Sequence, residues 1–136
     1  MMKLKLLTAA VAAAVLSTTA TAVAHHAFAA EFDIDKPITL TGKVSSVRWS
    51  NPHAWVYIDV QDAQGKVVNW AFETITANQL YRLGWRQSDL APGTVVIVEG
   101  WVARNGTPTA NTSSITLPDG RRMFARTPAP GEGTPR

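Results

Sequence analysis

Apolar and polar residues alternate over most of the C-terminal two thirds of the chain, which is the pattern of β-strands with one buried face. Residues 54–60 carry Val56, Ile58 and Val60 in one phase, and residues 67–73 continue the alternation after an Asp-Ala-Gln-Gly turn. These two segments predict a β-hairpin.

Four further strands are predicted around this hairpin. In the strand over residues 40–49, the apolar positions slip phase between Val44 and Val47, which indicates a β-bulge or a strong bend. The other three cover residues 94–103, 110–117 and 122–125, with an Asn-Gly turn between the first two of them.

The segment after the hairpin has a different pattern. Thr74 or Thr76 can cap a helix, Leu80 and Leu83 share one helical face, and Gly84 ends the pattern. One helix of about two turns is therefore predicted between the third and fourth strands.

This order of elements predicts an all-β fold with one short helix, an OB-fold-like five-stranded barrel plus a short C-terminal ribbon. A β-sandwich would need more strands and no helix. With 136 residues the chain is long enough for one domain. We place it at residues 25–126, followed by a disordered tail, rich in Pro and Gly, at 127–136.

Residues 1–24 have the three parts of a secretory signal peptide: two lysines, a short apolar run and a small-residue end. Cleavage motifs of the A-x-A type end at Ala22, Ala24 and Ala29, and we favour Ala24, which makes His25 the first residue of the mature protein. The sequence thus predicts a periplasmic or secreted bacterial protein without a membrane anchor. The chain contains no cysteine, so its stability must come from its core rather than from disulfides.

The charge of the mature chain argues against nucleic-acid binding. The full chain has 13 basic and 10 acidic residues, a formal charge of +3. Two of the basic residues, Lys3 and Lys5, lie in the predicted leader, and without them the charge falls to +1. A nucleic-acid-binding domain is expected to carry a concentrated basic surface instead.

The three histidines of the chain lie at two places. His25 and His26 are adjacent at the predicted cleavage site, and His53 lies in the loop just before the second predicted strand, residues 54–60. After cleavage at Ala24, the α-amine and Nδ1 of His25 can chelate a metal, and His53 can add a third nitrogen. His26 is the reserve or axial ligand, and Glu31 or Asp33 can supply an oxygen. A planar nitrogen set favours copper as Cu(II). The arrangement resembles the histidine brace of lytic polysaccharide monooxygenases and of some periplasmic copper carriers, as an analogy of site.

Each histidine also has a simpler interpretation. His25 and His26 can belong to a frayed terminus, and His53 can be a loop residue that bonds a backbone carbonyl. Pro52, directly before His53, restricts the backbone of that loop.

Aromatic residues suggest a second kind of site. Trp55 and Tyr57 share one face of a predicted strand, and on an OB-like fold this face can stack against a ligand, although core packing explains most such residues. No nucleophile motif or phosphate-binding loop is present, and the acids Asp59 and Glu73 give only weak support for a hydrolase. The sequence therefore leans away from an enzyme, with copper–oxygen chemistry as a third, weaker possibility.

Short motifs spread over nearly the whole mature chain carry a family resemblance. They are His25-His-Ala-Phe28, Glu31-Phe-Asp33, Leu40-Thr-Gly42, Asn51-Pro-His-Ala-Trp55, Trp70-Ala-Phe-Glu73, Gly84-Trp85, Pro92-Gly93 and Leu117-Pro-Asp-Gly120. Together they resemble a family of small exported bacterial proteins of unknown function. The resemblance implies export and a pattern that includes all three histidines, but no activity.

The resulting hypothesis is a periplasmic copper-binding protein that uses its processed N-terminal histidine. The alternative is a metal-free binding module of the same fold for a small molecule, a glycan or an envelope protein.

Overall fold

The computed structural model describes residues 28–125, which contain six strands, one short α-helix after the third strand and a helical stretch at residues 28–31. The predicted signal peptide at 1–24 and tail at 127–136 lie outside these residues. In chain order the elements are β1 (Phe32–Arg48), β2 (Trp55–Gln61), β3 (Val67–Glu73), α1 (Ala77–Arg82), a 3₁₀ turn (Gln87–Leu90), β4 (Val95–Ala103), β5 (Thr109–Thr116) and β6 (Arg122–Phe124). The described residues fall into two units, 28–31 and 32–125. In the first, residues 28–31 are helical; the second contains all six strands.

Five of the strands close into a ring. Antiparallel pairs join β3 to β2, β2 to β1, β1 to β4 and β4 to β5, and a parallel pair between β3 and β5 completes the ring. β6 pairs with β5 outside the ring. The predicted all-β class with one short helix and a short terminal ribbon is confirmed, and α1 lies between the third and fourth strands as an OB-like order requires.

β1 takes part in two pairings because it bends. Its earlier part pairs with β4 as far as Lys43, and from Lys43 onward it pairs with β2. The register with β2 shifts between Val44 and Ser46, which confirms the predicted phase slip. The strand begins at Phe32 rather than at residue 40, because Phe32 pairs with Ala103 and the residues from Pro37 onward pair with β4, with an irregular register between Phe32 and Pro37. The residues before Ile38 are mostly exposed and show no alternating apolar face.

The β2–β3 hairpin follows the predicted boundaries closely. In its turn, the Asp62 carboxylate accepts hydrogen bonds from the backbone N–H groups of Gln64 at 2.9 Å and Lys66 at 2.8 Å. Gly65 has a φ of 80°, a conformation that favours glycine. The turn therefore sets the register in which Trp55 lies opposite Glu73.

Helix α1 starts with a capping box. The Thr76 hydroxyl accepts a hydrogen bond from the backbone N–H of Gln79, whose side chain accepts one from the backbone N–H of Thr76. The helix buries Ala77 and Leu80. Of the two predicted caps, Thr76 is the one used.

The core fills the inside of the ring and continues under α1 and the 3₁₀ turn. Its largest fully buried apolar side chains are Trp85, Phe72, Ile58, Leu90, Ile115, Val44, Val56, Val96 and Val98. Most come from the predicted alternation. Trp85 and Leu90 come from the connection after α1.

Candidate functional site

His53 lies in the loop between β1 and β2, with its side chain 51% exposed. The Ser50 hydroxyl donates a 2.8 Å hydrogen bond to the backbone carbonyl of His53, and the Asn51–Pro52 peptide between them is cis. The loop thus has internal contacts of its own, while the imidazole remains accessible.

The Nδ1 atom of His53 faces two oxygen atoms at the end of β3. One belongs to the Glu73 carboxylate, with Oε1 at 3.0 Å, and the other is the backbone carbonyl of Thr74, at 3.1 Å. A carboxylate and a carbonyl both accept hydrogen bonds, so Nδ1 carries the proton in the neutral ring. The lone pair of the neutral imidazole is then on Nε2.

Backbone contacts fix the position of this part of β3 relative to the loop. Thr74 is 2% exposed, and both its backbone N–H and its hydroxyl donate to the carbonyl of Ala54, at 2.9 and 3.0 Å. Ala54 in turn donates its N–H to the carbonyl of Ile75 at 3.1 Å. These bonds hold the residue after His53 against the residues after Glu73.

Glu73 is only 8% exposed although it is a carboxylic acid on the outer side of a hairpin. The sequence marks Glu73 only as part of a weak acid pair with Asp59 and does not predict its contact with His53. The hairpin register gave a usable signal, because Trp55, two residues after His53, lies directly opposite Glu73. Asp59 accepts a 2.7 Å hydrogen bond from Asn69 instead.

A shallow surface pocket of about 410 Å³ surrounds His53. Arg48 and Trp55 line it as well, and the guanidinium carbon of Arg48 lies 5.7 Å from the centre of the Trp55 ring. This distance is within the range of a cation–π contact. The pocket therefore combines an imidazole, an indole and a positive charge.

The two aromatic residues of the predicted platform are both half-buried. Trp55 and Tyr57 occupy successive positions on the outer face of β2, opposite Glu73 and Ala71 of β3. Trp55 lines the same pocket as His53. The predicted metal ligand and one residue of the predicted aromatic platform therefore lie in one pocket.

The other two histidines, His25 and His26, lie outside the described residues. Within residues 28–125, no group of three or more His, Cys, Asp or Glu side chains is placed to hold a metal ion. Asp33, a possible oxygen ligand in the sequence analysis, makes ion pairs with Lys36 and Arg104.

Over the same residues, no helix is long and apolar enough to cross a membrane.

Comparison with known proteins yields one family. The model of a "Family of unknown function (DUF6152)" matches residues 12–112, about three quarters of the chain. No curated protein and no solved structure matches the chain.

Proposed function

The chain belongs to this family of unknown function, and from its own residues we propose that it is a periplasmic copper-binding protein. His53 is one ligand of the metal, and the processed N-terminal residue His25 supplies two more.

The contact of His53 with Glu73 carries the proposal. Histidines that bind metals nearly always donate their other ring N–H to a carboxylate or a backbone carbonyl, which fixes the tautomer and raises the basicity of the ligand. His53 has both acceptors at Nδ1, at 3.0 and 3.1 Å. The lone pair is then on Nε2 of a side chain that is 51% exposed, and Nε2 is the atom that would bind the metal.

The chemistry of His25 supplies the remaining nitrogen donors. In the precursor its backbone nitrogen is an amide, whereas cleavage after Ala24 converts it into an α-amine with a pKa of about 8. A metal can displace the proton of that amine and bind it together with Nδ1 in one chelate ring. Metal binding would then be confined to the exported protein.

The donor set selects copper. Three nitrogen donors without a thiolate differ from structural zinc sites, which usually have four closed ligands. Nitrogen-rich planar sites suit Cu(II), which also binds most tightly among the divalent first-row ions. Since the described residues hold no complete ligand group, the site depends on His25, with His26 as reserve or axial ligand.

Copper titration of the exported protein tests the proposal. Mass spectrometry first establishes that the mature chain starts at His25. We then expect His53→Ala, and separately an extra alanine before His25, each to weaken Cu(II) binding strongly, while His26→Ala has a smaller effect. A mature chain that starts at Ala30, or equal weak affinity in the wild type and His53→Ala, would contradict the proposal.

One observation favours a second function, a metal-free binding module for a small molecule, a glycan or an envelope protein. The pocket of about 410 Å³ contains Arg48 and Trp55, and among residues 28–125 Arg48 has no carboxylate within ion-pair distance. Binding of a ligand to metal-free protein that is lost in Trp55→Ala but kept in His53→Ala would favour this function over copper.

A further inference from the structure

The turn between β4 and β5 contains the only Asn-Gly step of the chain, Asn105-Gly106. Both residues are exposed, and Gly106 has a φ of 76°, a conformation that favours glycine. The backbone N–H of Gly106 donates to the carbonyl of Ala103, the last residue of β4, over 3.4 Å. This bond is longer than an ordinary N–H···O hydrogen bond, so the nitrogen of Gly106 is only weakly held.

Thr107 holds the side-chain carboxamide of Asn105 against the backbone of the same turn. Its backbone N–H donates to Oδ1 of Asn105 at 3.1 Å, and its hydroxyl donates to the same oxygen at 2.7 Å. The ring that the first bond closes contains Cγ of Asn105 and the backbone nitrogen of Gly106. The turn therefore folds the carboxamide back over the neighbouring peptide nitrogen and places two donors on its oxygen.

Two donors on one carbonyl oxygen are the arrangement that stabilises an oxyanion. When a nucleophile adds to a carbonyl carbon, negative charge develops on the oxygen, and donors already aimed at that oxygen lower the barrier. Gly106 has no side chain that could hinder the approach of its nitrogen. Three consecutive residues thus supply the carbonyl carbon, the nucleophile and the donors.

We propose that Asn105 is a site of spontaneous deamidation, with water as the co-reactant. The backbone nitrogen of Gly106 loses its proton and attacks Cγ of Asn105, the Cγ–Nδ2 bond breaks, and ammonia leaves. The cyclic imide then adds water at either carbonyl carbon and opens to an aspartate or an isoaspartate, without oxidation or reduction. Thr107 is a positioning residue, and the reaction does not depend on copper.

The other four asparagines of the chain lack this combination. Asn51 precedes a proline, whose nitrogen has no proton to lose. Asn78 lies in α1, and Asn69 and Asn111 lie in β3 and β5. Regular backbone hydrogen bonding fixes the main chain at these three positions, whereas the attack requires the main chain to rotate. The proposal therefore predicts one reactive site.

The reaction changes both the charge and the length of the turn. The new carboxylate lowers the net charge of the chain by one, directly beside Arg104 in the sequence. The isoaspartate form also brings Cβ into the main chain, which adds one atom to the connection between β4 and β5. Gly106 and Thr107 line a pocket of about 390 Å³, so both products alter that surface.

Mass spectrometry of the purified exported protein, aged at physiological temperature, tests the proposal. Samples are digested at acidic pH, which prevents further reaction in the released peptides, and the deamidated fraction is measured at each asparagine. We expect Asn105 to react at least roughly tenfold faster than any other asparagine, because its reacting groups are already close. Isoaspartate should form beside aspartate, and the rate should rise with pH because the attacking nitrogen must lose its proton.

Two variants test the role of Thr107, with a thermal melt to check that each folds. Thr107→Val keeps the shape and the backbone donor but lacks the hydroxyl, so it should react roughly two- to tenfold more slowly, the size of one hydrogen bond. Thr107→Ser keeps the hydroxyl and should react as the wild type does. Equal rates at Asn105 and Asn78, an absence of isoaspartate, or an unchanged or faster reaction in Thr107→Val would overturn the proposal.

Discussion

Replacing Glu73 by glutamine is expected to weaken copper binding while leaving the fold intact. The amide has nearly the same shape as the carboxylate and can still accept a hydrogen bond from Nδ1 of His53. It lacks the negative charge that lies 3.0 Å from that nitrogen. The change therefore tests whether the carboxylate positions and polarises the ligand, rather than whether β3 can form.

The structure sets the size of this effect. Because Glu73 is 8% exposed, its charge is only partly screened by water. Loss of such an outer partner of a metal ligand typically costs 10- to 100-fold in affinity, or about 1.4 to 2.8 kcal/mol of binding free energy. We expect Glu73→Gln to fall in this range.

Competition of the exported protein with a chromophoric chelator for Cu(II) measures the effect, and a thermal melt checks that the variant folds. Asp59→Asn is the matched control, since it neutralises an acid of the same hairpin that bonds to Asn69 instead. Glu73→Gln should have no further effect in a His53→Ala background, because coupled residues are not additive. Equal losses of affinity with and without His53 would refute a positioning role.

Three further predictions concern the ring of strands. The β4–β5 register shifts between Glu99 and Gly100, and in Gly100→Ala the new Cβ would lie 1.9 Å from the backbone oxygen of Asn111. We therefore expect a loss of roughly 3 kcal/mol in unfolding free energy; an unchanged melting temperature would contradict this close approach of the two strands. The Ser114 hydroxyl donates to Glu99 and holds the pKa of that carboxyl below its ordinary value, against the opposing effect of burial. A lowered folded-state pKa stabilises the fold above the unfolded pKa of about 4.3, and this contribution is lost as the pH falls through the folded pKa. The difference in melting temperature between wild type and Glu99→Gln should therefore shrink below about pH 4.3, and a difference that does not vary with pH would refute the linkage. The buried Thr112 hydroxyl has no hydrogen-bond partner within residues 28–125, so Thr112→Val should raise the urea midpoint by the equivalent of about 1 kcal/mol; a lower midpoint would mean that the hydroxyl is satisfied.

The parts of the fold that follow simple alternation were predictable. β3 matches its predicted range, and the phase slip between Val44 and Val47 corresponds to the register shift between Val44 and Ser46. These features can be predicted because one face of each strand is buried, and burial of one face makes apolar residues recur at every second position.

The early part of β1 could not be found in this way. Most of its residues before Ile38 are exposed, and Pro37, which lacks an N–H, lies within the strand. It is anchored to β4 by the pairs Phe32–Ala103 and Pro37–Trp101, between residues 71 and 64 positions apart in the chain. Propensity within a short window carries no information about such pairing.

The site was only partly predictable for the same reason. Residue type and loop position are enough to predict His53 as a candidate ligand, but its partners Glu73 and Thr74 are about twenty residues away in the chain. The hairpin register brings Glu73 opposite Trp55, and the loop then places His53 against it. A histidine motif alone does not reveal which nitrogen is protonated, whereas the two acceptors at Nδ1 do.

Electron paramagnetic resonance of the exported protein loaded with one equivalent of Cu(II) tests the copper site most directly. The proposal predicts nitrogen hyperfine structure from the α-amine and Nδ1 of His25 and from Nε2 of His53. One of these nitrogen couplings should disappear in His53→Ala. An oxygen-dominated spectrum, or identical spectra for the wild type and His53→Ala, would contradict the claim that His53 binds copper.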